Sequence, residues 1–158
     1  YYYPAAYGLS NIISVAATDM SNQLLRSSNW GIKNVDIAAP GENIYSTLPR
    51  GRDGKERYGY MSGTSQATAF VSGIAALMLS QRPKLKPQEI KKLILQAADR
   101  FPQLKGKTKT GGRVNAYRAL LALKNFRTKQ DKKELVDSKQ TPVASSSALE
   151  PVRGFARQ

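Results

Sequence analysis

The sequence predicts a mixed class of fold, in which short buried strands alternate with helices, and two stretches carry this prediction. Residues 12–17 are an apolar run between polar residues, too short for a helix core and typical of a buried strand. Residues 66–80 place apolar side chains on almost every side of a helical wheel, which indicates a helix enclosed by protein. This helix is shorter than the roughly 20 residues that a bilayer requires, so we expect a core element and no transmembrane segment.

A β-hairpin is predicted between these two stretches. Residues 35–38 have the pattern of a strand and are followed by a Pro-Gly turn, which is strong punctuation. Residues 44–48 and 58–62 are predicted strands, joined by the charged, glycine-containing segment 50–59. We expect the tip of this hairpin to be solvated, although its position close to Ser65 leaves open an influence on bound substrates.

Two helices and a tail follow. Residues 86–98 are amphipathic, with Pro87 in the first turn, and residues 116–123 form a shorter helix for which Asn115 is a suitable N-cap. Beyond Lys124 the sequence mixes charges, Ser and Pro without periodicity. The predicted organisation is therefore one domain at residues 1–124 and a basic, flexible tail or linker at residues 125–158.

Composition narrows the function classes. The chain of 158 residues contains 25 Lys and Arg against 11 Asp and Glu, a formal net charge of +14. Such a surface attracts anionic polymers non-specifically, above all through the basic C-terminal region, but no nucleic-acid-binding motif accompanies the charge, so no specific nucleic-acid partner is expected. The chain has no cysteine and no histidine. Disulfides and thiolate metal sites are excluded, and a histidine general base must come from outside these residues.

The stretch GTSQATAFVSG places a serine, Ser65, where the apolar helix begins. The first amides of a helix lack internal partners and carry partial positive charge, so an oxyanion formed at Ser65 would face the backbone N–H of that residue. Gly63 allows a sharp bend, and Thr64 adds a second hydroxyl. Taken alone, the stretch favours the simpler interpretation of a helix capped by Thr64 or Ser65.

This stretch, extended to GTSQATAFVSGIAALML, resembles the active-serine segment of the subtilisin-like serine proteases. Further segments occur in that family's order and at about its spacing across residues 3–123, namely YPAAY, NIISVAATD, SSNWG, VDIAAPGENIYSTLP, YMSGTS and GGRVNAYRAL. Six ordered matches make the resemblance specific, whereas a Gly-Thr-Ser triplet alone would not.

The resemblance implies a three-layer α/β subtilisin-like fold with a parallel sheet flanked by helices, of which only the C-terminal half is present. It also implies a serine endopeptidase that acylates Ser65, with Thr64 beside the oxyanion site. The family's aspartate, histidine and oxyanion-hole asparagine lie upstream of the position matched by Tyr3. The 158 residues alone are therefore expected to be inactive, and the chemistry needs no cofactor.

The resemblance also concerns residues away from the serine. It makes Tyr3, Pro4 and Ala5 candidates for the wall of the pocket that binds the residue before the scissile bond. Asp36 falls near a weak cation site of some family members, although an aspartate at a strand end is commonly just hydrogen-bonded. The resemblance leaves open whether the protein binds a structural calcium ion, and it assigns no residue as a metal ligand. Trp30 is expected to be a packing residue.

Two alternatives remain at the level of the sequence. One is a non-catalytic subtilisin-like scaffold, because two triad members are out of view, and the other is a basic binding module for an anionic polymer. The resemblance favours an exported, extracellular or cell-envelope enzyme acting on proteins or peptides, with its signal in the upstream region.

Overall fold

The structure, a computed structural model, describes residues 2–126, which lie almost entirely in the first of the chain's two units, Tyr1–Asn125. The predicted tail lies, from residue 127 on, outside the described residues. The strands are β1 (Val15–Thr18), β2 (Ile37–Pro40), β3 (Ile44–Leu48), β4 (Arg57–Met61), β5 (Asp99–Arg100) and β6 (Gly112–Arg113). The helices are α1 (Thr64–Gln81), α2 (Pro87–Gln96) and α3 (Ala116–Asn125), with 3₁₀ turns at Ala5–Tyr7 and Pro102–Leu104.

A four-stranded sheet forms the centre of the unit, in the order β1-β2-β6-β5. The β1–β2 and β2–β6 pairs are parallel, and β5 joins β6 antiparallel. The paired strands β1 and β2 carry four alanines with no exposed surface, and α1 packs against both strands. These small side chains let the helix approach the sheet closely. The predicted α/β fold with a parallel sheet and flanking helices is confirmed.

The hairpin is a separate two-stranded sheet formed by β3 and β4, which pair antiparallel along their whole length. The bounds of β3 are those predicted from the sequence. At the tip, Arg50 pairs with Glu56 at 3.3 Å and Arg57 with Asp53 at 3.4 Å, and all four side chains are largely exposed. Such exposed pairs contribute at most about 1 kcal/mol each. The tip is solvated, as expected.

Helix α1 is buried on one side only. The buried side chains are Ala67, Val71, Ile74 and Met78. On other sides of the helix Phe70 is 43% and Leu77 50% exposed. The prediction of a helix enclosed all round is therefore wrong for the part of the chain that the structure describes, because no described residues cover this second apolar face. Among residues 2–126, no helix has the length and hydropathy of a membrane span.

Helix α3 begins as the sequence predicts. The Asn115 side-chain oxygen accepts the backbone N–H of Arg118 at 2.9 Å, which makes Asn115 the cap of the helix. The Asp99 carboxylate accepts hydrogen bonds from the Asn115 amide and the Arg118 guanidinium, each at 2.7 Å. These two bonds, reinforced by the nearby arginine charges, hold the pKa of Asp99 below its ordinary value. The network ties the start of α3 to strand β5.

Candidate active site

The start of α1 is fixed directly to the backbone at the end of the sheet. Gly41, just after β2, donates its N–H to the Thr18 carbonyl at 2.9 Å and accepts the Gly63 N–H at 2.7 Å. A Cβ at Gly41 would lie 2.6 Å from the Cβ of Ala17 and 2.7 Å from the Gly63 carbonyl oxygen, so no larger residue fits there. The helix thus begins at the carboxyl ends of parallel strands, where open α/β sheets generally bind ligands.

Gly63 forms the N-cap of α1. Its φ of 155° lies in a region that other residues rarely adopt, and no side chain caps the helix. Thr64 and Ser65 are the first and second helical residues, so their hydroxyls lie inside the first turn. The alternative interpretation of these residues as a helix cap is therefore wrong.

Ser65 is exposed at this helix terminus. Within residues 2–126, its hydroxyl makes no hydrogen bond, and the backbone N–H groups of Thr64, Ser65 and Gln66 have no acceptor. Unpaired amides at the first turn of an 18-residue helix favour negative charge placed beside them. The arrangement therefore places an exposed hydroxyl and an unpaired, anion-favouring amide at the same residue.

Two depressions meet the first turn of α1. One, which we call the cleft, has a volume of about 430 Å³, and Ala5, Trp30 and Thr64 are among its lining residues. The other, which we call the groove, has a volume of about 800 Å³ and runs between the hairpin and α1, where Ser65 and Phe70 line it. Neighbouring residues thus open onto different depressions, and the first turn of the helix separates them.

The pocket candidates fall in one segment but reach the cleft unequally. Ala5 lines the cleft together with Thr64, whereas Tyr3 and Pro4 are not among its lining residues. The Tyr3–Pro4 peptide bond is cis. Trp30 is 57% exposed, lines the cleft and carries the Lys107 ammonium 3.9 Å above its ring. The packing role expected of Trp30 therefore stays a prediction, with Lys107 as its contact among residues 2–126.

Asp36 is only 3% exposed and lies immediately before β2. Its carboxylate accepts the Ser14 backbone N–H at 2.9 Å, the Lys109 ammonium at 2.9 Å and the Lys91 ammonium at 3.0 Å. Burial raises the pKa of Asp36, but these hydrogen bonds outweigh burial and bring the pKa below its ordinary value. Sequence reasoning missed Lys91, because nothing in the pattern of α2 distinguishes it from Lys92. Within residues 2–126, no three acidic, His or Cys side chains are grouped so that they could hold a metal ion.

Comparison with known proteins gives consistent results. A family model described as the subtilase family matches residues 1–138. The chain is 42% identical over 118 residues to thermitase from Thermoactinomyces vulgaris, covering 75% of this chain and 38% of thermitase. It is also 42% identical over 118 residues to a thermophilic serine proteinase from a Bacillus species, covering 74% of this chain and 26% of that proteinase.

Solved structures of other proteins share the fold of this chain. The A-subunit of the AB5 toxin from Escherichia coli superimposes with a TM-score of 0.63 at 36% identity, covering 77% of this chain and 43% of that one. The self-cleaved protease domain of PatA gives a TM-score of 0.63 at 35% identity, covering 80% and 46%. The chain therefore spans less than half the length of each protein compared here.

Proposed function

We propose, from the premise that this chain belongs to the subtilase family of serine proteases, that it provides the nucleophile of a serine endopeptidase and that Ser65 is this nucleophile. One observation carries the proposal: the Ser65 hydroxyl is exposed and makes no hydrogen bond within residues 2–126, at a helix N-terminus whose amides are unpaired there. In the proposed reaction, Ser65 Oγ attacks the scissile carbonyl, the amine leaves with a proton, and water then hydrolyses the acyl-enzyme.

The backbone N–H of Ser65 is proposed to stabilise the tetrahedral intermediate. A single preorganised donor of this kind contributes about 3 kcal/mol to catalysis. Thr64 is half-buried beside it, and its hydroxyl is proposed to support the same oxyanion site. No cofactor is required for these steps.

The general base is proposed to lie in further residues of the protein. The chain contains no histidine, so the histidine, the aspartate and the oxyanion-hole asparagine that the family resemblance implies would come from sequence upstream. The exposed apolar face of α1, with Phe70 and Leu77 opening into the groove, supports this proposal, because an apolar surface of this kind is typically covered by another part of the protein.

The cleft is proposed to receive the substrate residue that precedes the scissile bond. Ala5 and Thr64 line it from two segments far apart in sequence. Tyr3 and Pro4, which immediately precede Ala5, are then proposed to shape its wall. The substrates would be proteins or peptides.

We extend the proposal to an extracellular or cell-envelope location. Relatives of the chain include an extracellular basic protease of Dichelobacter nodosus and a cell wall-associated protease of Bacillus subtilis. Activity lost from the culture medium or the cell-envelope fraction, but not from the cytosolic fraction, on deletion of the gene would support this location. A loss confined to the cytosolic fraction would contradict it.

The test of the nucleophile uses the full-length protein and its Ser65→Ala variant. Covalent labelling by a fluorophosphonate probe and hydrolysis of a peptide substrate should both disappear in this variant, while Ser72→Ala, a second serine of α1, should keep both. Residues 1–158 alone should hydrolyse nothing. Peptide hydrolysis that survives Ser65→Ala would refute the assignment, and a full-length protein without activity would favour a non-catalytic scaffold.

A further inference from the structure

The ammonium of Lys91 is held entirely by oxygen atoms. From α2 it donates to the backbone carbonyls of Leu9, at 3.3 Å, and Ile12, and to one carboxylate oxygen of Asp36 at 3.0 Å. The Lys91 side chain is 14% exposed and that of Asp36 is 4% exposed. A lysine ammonium has three N–H donors. Three acceptors therefore satisfy it completely.

Two carbonyls and a carboxylate are the kind of ligands that hard cations such as Ca²⁺ prefer. The family resemblance indicates a weak cation site near Asp36, but the residues present do not fit a metal ion. Lys91 takes one carboxylate oxygen of Asp36, and Lys109 takes the other. A divalent cation at the Asp36 carboxylate would also be repelled by these two ammonium groups, which lie 3.0 Å and 2.9 Å from its oxygens.

This cluster adjoins the cleft. The same Asp36 carboxylate accepts the Ser14 backbone N–H, and Ser14 lines the cleft. Leu9 and Ile12 lie in the segment that connects the turn Ala5–Tyr7 to β1. Lys91 thus ties α2 to the segment that connects two lining residues of the cleft, Ala6 and Ser14.

We propose that Lys91 is a positioning residue whose ammonium takes the place of a bound metal ion and holds the wall of the cleft in its substrate-binding shape. The part that concerns substrate rests on the proposed function, whereas the exclusion of an ion does not. The ammonium is covalently attached, so the wall keeps its shape without any dissolved cation.

The first experiment compares Lys91→Met with Lys92→Met in the full-length protein. Methionine keeps most of the aliphatic stem, and Lys92 is an exposed neighbour on the same helix. Lys91→Met should raise KM roughly tenfold, equivalent to about 1.4 kcal/mol of binding free energy, with kcat changed by less than about twofold. It should also lower Tm, Lys91→Arg should recover part of the KM, and Lys92→Met should change neither quantity. A lower Tm with unchanged KM would overturn the positioning role.

The second experiment tests the exclusion of an ion. Tb³⁺, a luminescent substitute for Ca²⁺, is titrated into the full-length protein and its Asp36→Asn variant. The difference between the two titration curves reports Tb³⁺ bound at Asp36 and excludes any cation sites elsewhere. Equal titration curves are expected, and a Tb³⁺ site lost in Asp36→Asn would overturn the proposal. If the wild type has no peptidase activity, this titration and the Tm comparison still test the ion replacement.

Discussion

Replacing Gly41 by alanine should impair both catalysis and stability. The added Cβ would lie 2.6 Å from the Cβ of Ala17 and 2.7 Å from the carbonyl oxygen of Gly63. Ordinary carbon–carbon contacts are about 3.5–4.0 Å, so the first contact is short by roughly 1 Å. Ala17 is fully buried and Gly63 presents backbone, so neither neighbour is a flexible side-chain end. The change must therefore move the start of α1, where Ser65 lies.

The expected magnitudes follow from that displacement. A misplacement of about 1 Å reduces catalysis by up to about 10²-fold, so kcat should fall by roughly 10- to 100-fold. The free energy of unfolding should fall by about 1–3 kcal/mol, as for other overpacked sites. The assays are steady-state peptide hydrolysis by the full-length enzyme and its urea denaturation.

Gly54→Ala is the matched control. Gly54 lies at the hairpin tip with φ of 72° and has no atom within 4 Å of an added Cβ. Alanine there should lower stability by about 1 kcal/mol through backbone strain alone and leave kcat unchanged. If folded Gly41→Ala enzyme keeps its kcat within about twofold, the contact between Gly41 and Gly63 is not what positions Ser65.

Three further predictions concern single side chains. Met78→Ala should lower the free energy of unfolding by about 2–5 kcal/mol in urea denaturation, because Met78 is fully buried in α1. Thr64→Val should lower kcat by roughly tenfold with little change in KM, measured by peptide hydrolysis, if its hydroxyl supports the oxyanion site. The lowered pKa of Asp99 means that its contribution to stability is complete above the ordinary value of 3.8 and is lost as the pH falls through the folded-state pKa. Asp99→Asn should therefore flatten the dependence of Tm on pH in this acidic range, and an unchanged profile would contradict the role of the Asn115 and Arg118 bonds.

The sequence predicted the elements that bury a continuous apolar pattern. It located β3 and all three helices, and placed Ser65 at the start of a helix, because periodicity and helix-start residues are local signals. The prediction for β1, residues 12–17, begins three residues before the observed strand, Val15–Thr18. Ile12 and Ile13 are apolar enough for a strand, but the Ile12 carbonyl is bound by Lys91, a partner that no local pattern reveals.

Other features depend on residues distant in sequence. Strands β5 and β6 have two residues each and arise from pairing with each other and with β2, so their own composition does not predict them. The exposed face of α1 was predicted as buried, because hydropathy reports that a surface is apolar but not which part of the protein covers it. The cleft likewise joins Ala5 to Thr64 only after the chain has folded.

The two ends of the hairpin segment lie side by side at the core and are joined by hydrogen bonds. Gly41 and Gly63 are hydrogen-bonded to each other, and Ser62 Oγ accepts the Asn43 N–H at 2.8 Å beside them. Everything between these residues is a loop whose two ends are already joined. Lengthening or exchanging its charged tip adds little closure entropy and leaves the helix start in place. The hairpin is consequently a site beside Ser65 where the protein can vary in evolution, or be engineered, without a shift of Ser65.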